Sequence, residues 1–395
     1  MRILFVAMSE SIHVSRWMSQ LSDQGWELYI YSSTNNIKIH SDFKNITIYK
    51  NFFSYQKNID KSVKIKGIPV IFDIFVRLGN LVLNRIIPDF NRIRLNYLIA
   101  RLKPDIIHSM EFQSAGYLTL DVKKKYSLKF PVWIATNWGS DIYLFRHDPD
   151  HLIKIEGILK NCDFYLAECR RDVSLAKELG LNGKDLPLLP AAGGFDFIYF
   201  SRIKKTLPPS NRRIILLKGY HGWAGRALTG LEALKLCSSQ LEGYSIAVYL
   251  ASPEVIQKTE EFTKETGIPV NIIPYRSHEE LMGYFGKARI HIGLSISDGI
   301  PNTLMESMIL GAFPIQSDTS CANELIENGK SGILVPPENA SVIAAAIKLA
   351  ISNDDLINKA ADLNYLIARE KFDKEIIQPK IIKMYTEILN SQPKN

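Results

Sequence analysis

Cysteine is scarce in this sequence, and the spacing that would make it functional is missing. The four cysteines form no Cys-x-x-Cys pair, and no histidine stands at zinc-ligand spacing from Cys162, Cys169, Cys237 or Cys321. The sequence therefore indicates neither a zinc module nor a small secreted domain that depends on a disulfide framework.

Long apolar runs are also missing. No stretch of 18 uncharged apolar residues occurs, whereas a membrane-spanning helix needs about 20. The first apolar run, residues 2–8, is too short for a secretory signal and is followed closely by Glu10. We expect this run to form a buried strand. We also expect a cytoplasmic protein that is at most peripheral at the inner face of the cytoplasmic membrane.

The chain lacks a general excess of positive charge, because the excess is concentrated in one segment. The net charge is +7, from 48 basic and 41 acidic side chains, but residues 57–104 alone hold ten basic and three acidic ones. The rest of the chain is close to balance. The sequence also lacks the basic–aromatic motifs of known nucleic-acid readers, so we expect no nucleic-acid partner.

What the sequence does contain is a regular alternation of short apolar segments and helical patterns over 395 residues. At about 150 residues per domain, this length predicts two or three domains. Continuous apolar segments are typical of parallel strands covered on both faces. They predict strands at 2–8, 27–32, 105–109, 131–136, 163–167, 213–218, 245–250, 270–274, 290–295 and 312–316.

This pattern predicts an α/β protein with two Rossmann-like, doubly wound domains. A polar, proline-containing stretch near residue 204 reads as the linker between them. We therefore expect a first domain at 1–203 and a second at 204–373. The last segment, 374–395, is expected to be a helix that packs back on the first domain.

The most informative segment is residues 297–314, which follows a predicted strand. Pro301 predicts a helix start, with Asp298 in the loop before it and Glu306 one to two turns inside. The first N–H groups of a helix lack intrahelical partners and attract phosphate. Carboxylates beside such a site suit the hydroxyls of a sugar or ribose; the alternative is a capping aspartate and a solvated glutamate. The N–H groups expected to face the ligand belong to Asn302, Thr303 and Leu304.

Residues 298–314 resemble the acidic-x7-Glu signature of the retaining glycosyltransferase family 4, whose members have the GT-B fold. The family typically reads Glu-Gly-x-Pro-Asn-x-x-x-Glu-Ala-Met-x-x-Gly-x-Pro, and Asp298 stands at the first glutamate. Residues 324–337 are similar to the family's usual continuation. The resemblance implies that Asp298 contacts the donor sugar and that Glu306 binds the ribose. It also implies donor contacts from Gly299, Pro301, Asn302, Thr303 and Leu304.

Two further loops complete the implied donor site. The family binds the donor diphosphate with an arginine and a lysine after the first strand of the second domain, where this chain has Lys218, Gly219 and Arg226. The alternative for Arg226 is a solvated residue in a helix's first turn, where a cation is unfavourable without an anion. Tyr275 and Arg276 stand where relatives contact the nucleotide base.

Loops of the first domain carry the remaining candidates. His13 follows the first strand, where relatives have a glycine-rich loop; it would act on the acceptor or the donor phosphate, or be a capping or solvated histidine. His108 resembles a common family position and is a candidate for the acceptor side, as is Trp138; the alternative is that His108 simply supports its loop. At residues 136–141 many relatives read His-Gly-Ser-Asp, and this chain has Trp138 in place of the histidine. Tryptophan cannot transfer a proton, so Asp141 stays as the candidate for orienting the sugar or acceptor.

Two polar patterns are explained as helix starts. Asp148-Pro149-Asp150 has the Asp-x-Asp form of metal-dependent glycosyltransferases, but an aspartate followed by proline is a helix start in its own right. Ser277 with Glu280 likewise predicts a capping box. We expect no catalytic metal and no cofactor, because the nucleotide sugar is a substrate.

Residues 68–88 predict an unusually apolar helix within the basic segment 57–104. Asp73, Arg77 and Asn80 fall on one narrow stripe, and apolar side chains cover nearly all the rest. An apolar helix with a basic rim is typical of binding to an anionic membrane surface. The alternative is a helix buried in the first domain and surrounded by ordinary surface lysines.

Together, these patterns predict a retaining glycosyltransferase that moves a hexose or N-acetylhexosamine from a nucleotide diphosphate donor, UDP rather than GDP. The expected acceptor is a hydroxyl of a lipid-linked saccharide in bacterial envelope polysaccharide or lipopolysaccharide synthesis. Two alternatives stay open: a nucleotide-sugar epimerase of the same fold, and a catalytically silent nucleotide-sugar binder, which the tryptophan at position 138 brings into consideration.

Overall fold

A computed structural model describes residues 1–36, 38–54, 59–69, 89–204, 207–274 and 277–391. Its contacts divide the chain into two units, Met1–Gly194 with Lys374–Asn395, and Phe195–Asp373. The apolar helix predicted at 68–88 lies outside the described residues. Within the described ranges, none of the helices combines the length and the apolarity that crossing a bilayer requires.

The first unit is built on an eight-stranded sheet in which each strand pairing is parallel. The strand order is β4-β3-β2-β1-β5-β6-β7-β8, so the direction of winding reverses between β1 and β5. The strands are β1 Arg2–Ala7, β2 Glu27–Ser32, β3 Thr47–Ser54, β4 Lys64–Pro69, β5 Ile106–Met110, β6 Val132–Thr136, β7 Phe164–Leu166 and β8 Lys184–Asp185.

Alternate residues of β1 enter two separate apolar clusters: Ile3 and Phe5 in one, Leu4 and Val6 in the other. This alternation shows that helices cover both faces of the sheet, since successive strand side chains point to opposite faces. The helix Pro149–Asn161 begins as predicted, with Asp148 accepting the N–H of Asp150 at 2.9 Å. The helices are α1 Ile12–Ser19, α2 Phe90–Leu102, α3 Tyr117–Lys125, α4 Ser140–Tyr143, α5 Pro149–Asn161 and α6 Arg170–Glu178.

The second unit has a six-stranded, parallel sheet in the order β11-β10-β9-β12-β13-β14. Its strands are β9 Ile214–Lys218, β10 Ser245–Tyr249, β11 Val270–Ile273, β12 Ala288–Gly293, β13 Phe313–Ser317 and β14 Ile333–Val335. Its described helices are α7 Phe197–Ile203, α8 Ala227–Leu236, α9 Pro253–Thr266, α10 His278–Phe285, α11 Asn302–Leu310, α12 Ala340–Ser352 and α13 Asp354–Phe372.

The boundary between the units lies after Gly194, nine residues before the one expected from the sequence. Helix α7 belongs to the second unit because its aromatic side chains pack there. The ring of Phe197 lies 5.7 Å from that of Tyr365, and the N–H of Phe195 donates to the Phe372 carbonyl at 2.7 Å. The polar stretch near residue 204 therefore lies inside the second unit and is not the linker.

The sequence prediction misses four strands, β3, β4, β8 and β14. Strand β4 lies at the sheet edge, where Lys64 and Lys66 interrupt the apolar pattern. Strand β3 contains a buried lysine, Lys50. Strands β8 and β14 have two and three residues, which is too short for a periodic signal. The other predicted strands lie within two residues of the observed ones.

Helix α14, Lys374–Asn390, completes the core of the first unit. Its apolar side chains lie in the same cluster as Ile3 and Phe5 of β1. The buried members on the helix recur every three or four residues, as one face of a helix requires. They are Ile377, Ile381, Met384, Tyr385 and Ile388.

A buried polar network joins this helix to the sheet. The Tyr385 hydroxyl accepts the indole N–H of Trp17 at 3.0 Å and bonds Nδ1 of His108 at 2.5 Å. The other ring nitrogen of His108 bonds the Thr136 hydroxyl at 2.6 Å. Burial lowers the pKa of His108 to about 3, so the ring is neutral. Of the two roles expected for His108, structural support fits its full burial and its two bonded nitrogens, and contact with an acceptor does not.

Replacing Tyr385 with Phe should lower the free energy of unfolding by about 1–3 kcal/mol, because two buried partners lose their hydrogen bonds. Chemical denaturation of both proteins measures the difference. Tyr97→Phe is the matched control, since the Tyr97 ring is 54% exposed and its loss should stay within about 0.5 kcal/mol. Equal effects of the two substitutions would contradict the structural importance of the network.

Candidate functional site

The strand order of the second unit reverses between β9 and β12. In doubly wound sheets, ligands bind outside the carboxyl ends of the strands at such a point, because the flanking loops diverge and leave a crevice. Strand β9 ends at Lys218 and β12 at Gly293. Apart from Tyr275 and Arg276, the residues predicted to bind the donor lie at the end of β9, in the two loops that follow these strands, or just after those loops.

The loop after β9 begins in close contact with β10. The N–H of Gly219 donates to the Tyr249 carbonyl at 2.7 Å, and its carbonyl accepts the N–H of Ser252 at 3.1 Å. A Cβ atom on Gly219 would lie 2.5 Å from Cγ1 of Val248 and 2.8 Å from Cα of Ala251. A side chain at this position therefore requires the backbone to move.

The loops after β9 and β12 are hydrogen-bonded to each other. The N–H of Arg226 donates to the Leu294 carbonyl at 3.1 Å, and the N–H of Ile296 donates to the Ala224 carbonyl at 2.9 Å. The two loops therefore form one connected edge at the switch point.

The two cations predicted to bind the diphosphate have different surroundings. Arg226 is the N-cap residue of α8, and its guanidinium donates to Glu338 at 2.8 Å and to the carbonyls of Gly222 and Gly225 at 3.1 and 3.0 Å. These bonds support its own loop. Lys218 is half-buried at the end of β9, and its ammonium group bonds none of the described residues. Both diphosphate contacts stay predictions.

Helix α11 begins at Asn302, with Pro301 in the N-cap position. The expectation that the N–H of Leu304 faces a ligand is wrong. It donates to the Pro301 carbonyl at 2.9 Å, because a tightened first turn satisfies donors that an α-helix leaves unpaired. In the preceding loop, a carboxylate oxygen of Asp298 accepts the N–H of Gly299 at 3.0 Å.

Glu306 lies at the start of the second turn of α11 and is 4% exposed. Its Oε1 lies 2.7 Å from Nε2 of His278, the first residue of α10. A buried carboxylate requires a partner of this kind. His278 packs in turn against the rings of Tyr199 and Phe200, with centroids 6.3 and 6.4 Å away. Nothing local in the sequence identifies His278, apart from its place after the capping serine.

The capping box predicted at the start of α10 is confirmed. The Ser277 hydroxyl accepts the N–H of Glu280 at 3.3 Å, and the Glu280 carboxylate accepts the N–H of Ser277 at 3.1 Å. This cap fixes the first turn of α10 and with it the position of His278. Tyr275 and Arg276, which were predicted to contact the base, lie outside the described residues.

At the equivalent edge of the first unit, a buried lysine organises the loops. Lys50 is 2% exposed, and its ammonium group donates to the Ser9 hydroxyl at 2.6 Å and to the carbonyls of Asn36 and Lys38 at 2.7 and 3.2 Å. Burial lowers the pKa of Lys50 to about 8, while the negative charge of Glu10 acts in the opposite direction. Sequence reasoning missed this residue because β3 itself was missed.

Asp141 connects the loops after β5 and β6. Its Oδ2 accepts the N–H of Phe112 at 3.0 Å and that of Trp138 at 2.8 Å, and the residue is 5% exposed. Burial, together with the neighbouring Glu111 carboxylate, raises the pKa of Asp141 well above its usual range. The structure thus gives Asp141 a local role in holding loops, and contact with a sugar stays a prediction.

His13 and Trp138 lie against each other. Their ring centroids are 5.2 Å apart, with an interplanar angle of 43°. His13 lies in the first turn of α1, where its N–H donates to the Ser11 hydroxyl at 3.2 Å. The loops after β1 and β6 therefore meet through two aromatic side chains on one edge of the first sheet.

The sequence of the chain matches two known protein families. Residues 208–366 match the family described as glycosyl transferases group 1, and residues 87–164 match the glycosyl transferase 4-like family. The first match includes both loops of the β9–β12 switch point and the Glu306 helix. The chain belongs to the group 1 glycosyl transferases. The predicted family is thereby confirmed.

This group 1 glycosyl transferase resembles a curated relative over part of its length. It is 31% identical over 127 residues to the amylovoran biosynthesis glycosyltransferase AmsK of Erwinia amylovora. The aligned segment covers 30% of this chain and 30% of AmsK, so less than a third of the relative's length is matched.

Solved structures identify the fold of this group 1 glycosyl transferase. Sucrose-phosphate synthase from Thermosynechococcus elongatus superposes with a TM-score of 0.75 at 15% identity, over 99% of this chain and 100% of that one. Anabaena HepE in complex with UDP gives 0.68 at 14% identity, over 98% and 100%. The predicted GT-B architecture of two Rossmann-like sheets is confirmed.

Gly219→Ala should destabilise the protein by about 1–3 kcal/mol, because its Cβ meets backbone and a buried valine. Gly283→Ala is the matched control: nothing lies within 4 Å of a Cβ there, and alanine in a helix interior should stabilise by about 0.5–1 kcal/mol. Thermal and urea unfolding measure both. A neutral Gly219→Ala would show that the β9 loop has room for a side chain.

The lowered pKa of Lys50 predicts a pH dependence. Between pH 8 and about 10.5 the unfolded chain keeps a proton on Lys50 that the folded protein has released, so stability should rise with pH relative to Lys50→Met. The full change is about 3 kcal/mol. Urea unfolding of both proteins across this range measures it. Parallel stability curves for the two proteins would contradict a lowered pKa.

Proposed function

We propose that this protein transfers a sugar, with retention, from a UDP-sugar to a hydroxyl group of a saccharide acceptor. The observation that carries the proposal is the position of Glu306. Its carboxylate is buried, is held by His278 and belongs to the helix that starts beside the β9–β12 switch point. A carboxylate with a fixed orientation can accept hydrogen bonds from two neighbouring hydroxyl groups, as a ribose presents them.

The other groups at this edge suit a diphosphate and a sugar. The N-terminus of α11, at Asn302 and Thr303, carries partial positive charge that favours phosphate. Lys218, at the end of β9, adds a full charge. Stabilising the charge that develops on the leaving diphosphate is the main requirement of the reaction. We propose that Asp298, in the adjoining loop, binds hydroxyl groups of the donor sugar.

The relatives support the choice of donor and pathway. AmsK is named for amylovoran biosynthesis, and HepE was solved with UDP. We extend both to this chain: the donor nucleotide is UDP, and the acceptor is a lipid-linked saccharide in bacterial envelope polysaccharide assembly. We also propose that the basic segment 57–104 holds the protein at the anionic inner face of the cytoplasmic membrane.

Glu306→Gln should weaken UDP binding about 10- to 100-fold, because hydrogen bonds to a charged acceptor contribute about 1.5–3 kcal/mol. Isothermal titration with UDP, GDP and ADP measures this loss and tests the base preference. Glu242→Gln is the matched control, since Glu242 is exposed in the same unit and should bind UDP as the wild type does. Unchanged UDP affinity in Glu306→Gln would remove the ribose role.

Product analysis separates the proposed reaction from its alternatives. Incubation with UDP-glucose and a panel of saccharides should give a glycoside with the anomeric configuration of the donor. An epimerase would convert the donor without any acceptor, and a silent binder would bind UDP-glucose without product. Either result would overturn the proposal.

A further inference from the structure

Two buried polar atoms at the carboxyl edge of the first unit's sheet have no hydrogen-bond partner among the residues that the structure describes. One is Oε2 of Glu10, and the other is the indole Nε1 of Trp138. Native proteins rarely leave buried polar atoms unpaired, because desolvation without a hydrogen bond is costly. Each atom therefore requires an explanation, and a ligand bound at this edge of the sheet would explain both.

Glu10 follows β1, on one side of the point where the strand order of the first sheet reverses. Its Oε1 accepts the Thr34 hydroxyl at 2.8 Å, which fixes the carboxylate by one oxygen only. The Lys50 ammonium holds the preceding residue, Ser9, at 2.6 Å. The backbone and one carboxylate oxygen are thus held in place, and the second oxygen is left to accept a hydrogen bond.

Trp138 follows β6, and its backbone N–H is fixed by Asp141 at 2.8 Å. Its indole ring lies against His13, three residues after Glu10, with the centroids 5.2 Å apart. Glu10, which carries the unpaired acceptor, is thus three residues from His13, and His13 contacts Trp138, which carries the unpaired donor. Both residues lie on the same edge of the same sheet.

A hydroxyl group is the simplest partner for both atoms, since it donates to a carboxylate and accepts from an indole N–H. A saccharide ring presents several hydroxyl groups at fixed spacing, and its apolar face packs well on aromatic rings. A phosphate suits the indole N–H but would be repelled by the carboxylate.

We propose that Glu10 and Trp138 form the subsite for the saccharide acceptor, with Glu10 accepting a hydrogen bond from one hydroxyl of the acceptor ring and Trp138 donating one to another. The His13–Trp138 pair provides the aromatic surface for that ring. This inference rests on the proposed function, because it gives the acceptor a place on the first unit that is separate from the donor residues of the second.

Indole ¹H–¹⁵N spectra of the wild-type protein test the proposal directly, since the chain has five tryptophans. Glucose, galactose and N-acetylglucosamine are titrated separately, with and without UDP. The resonance of Trp138, assigned with Trp138→Phe, should shift and saturate with at least one sugar. The Trp133 resonance should not move, because that N–H already donates to the Ser109 hydroxyl at 2.9 Å. No shift at Trp138 with any of the sugars overturns the proposal and leaves ordered water as the partner.

Substitutions give a second readout. Glu10→Gln keeps the shape of the side chain and the Thr34 contact, and it should weaken binding of the responding sugar about tenfold or more. Trp138→Phe should weaken binding and should lower the melting temperature less than Trp133→Phe does, because the N–H it removes is unpaired and its ring is only partly buried against the core. Trp133→Phe is the control that should lower the melting temperature and leave sugar affinity unchanged. Unaltered sugar affinity in Glu10→Gln and Trp138→Phe overturns the proposal.

The two proposals fail in different ways. Loss of UDP binding with an intact sugar response at Trp138 would contradict the proposed function and keep the saccharide subsite. Tight UDP binding with no sugar response would contradict the subsite alone.

Discussion

Each strand pairing in both sheets is parallel, and this constraint determines where polar chemistry can lie. A tight hairpin cannot join parallel strands, so the chain crosses over between them, most often through a helix packed on a face of the sheet. The loops that leave the carboxyl ends then collect at one edge. The strand order reverses beside β1 and beside β9, so the loops that follow the two strands at each reversal diverge and leave a crevice. Side chains that would be unfavourable in the core, such as Glu10 and Glu306, find room there.

Buried cations hold these sheets to their surroundings mainly through backbone carbonyls. Lys50 does so at the edge of the first sheet. In the second unit, Arg289 is 1% exposed and donates to the Ala350 carbonyl near the end of α12. Arg212 donates to the Leu310 carbonyl at the end of α11, and burial lowers its pKa to about 10. The last carbonyls of a helix lack intrahelical partners and carry partial negative charge, so a buried cation is stable against them.

The strands and helix starts that the sequence predicts correctly are those marked by residues close together in the chain. Central strands are buried on both faces and leave continuous apolar runs, whereas β4 at the edge carries exposed lysines. The proline before α11 and the capping box of α10 also act over a few residues. The contact of His278 with Glu306 joins residues 28 positions apart, and no local pattern reveals it. His108 fits a family pattern, yet Tyr385, 277 positions away, places it in the core.

The membership of α14 in the first unit has a consequence for the order of assembly. The five buried side chains of α14 belong to a core whose other members come from the first 190 residues. During synthesis, residues 195–373 emerge before α14 and contain a complete sheet and core of their own. The unit that is made first is thus the last to be completed. Until residues 374–390 leave the ribosome, the part of the sheet face that α14 covers stays open to water, and that interval is when a chaperone has an apolar surface to bind.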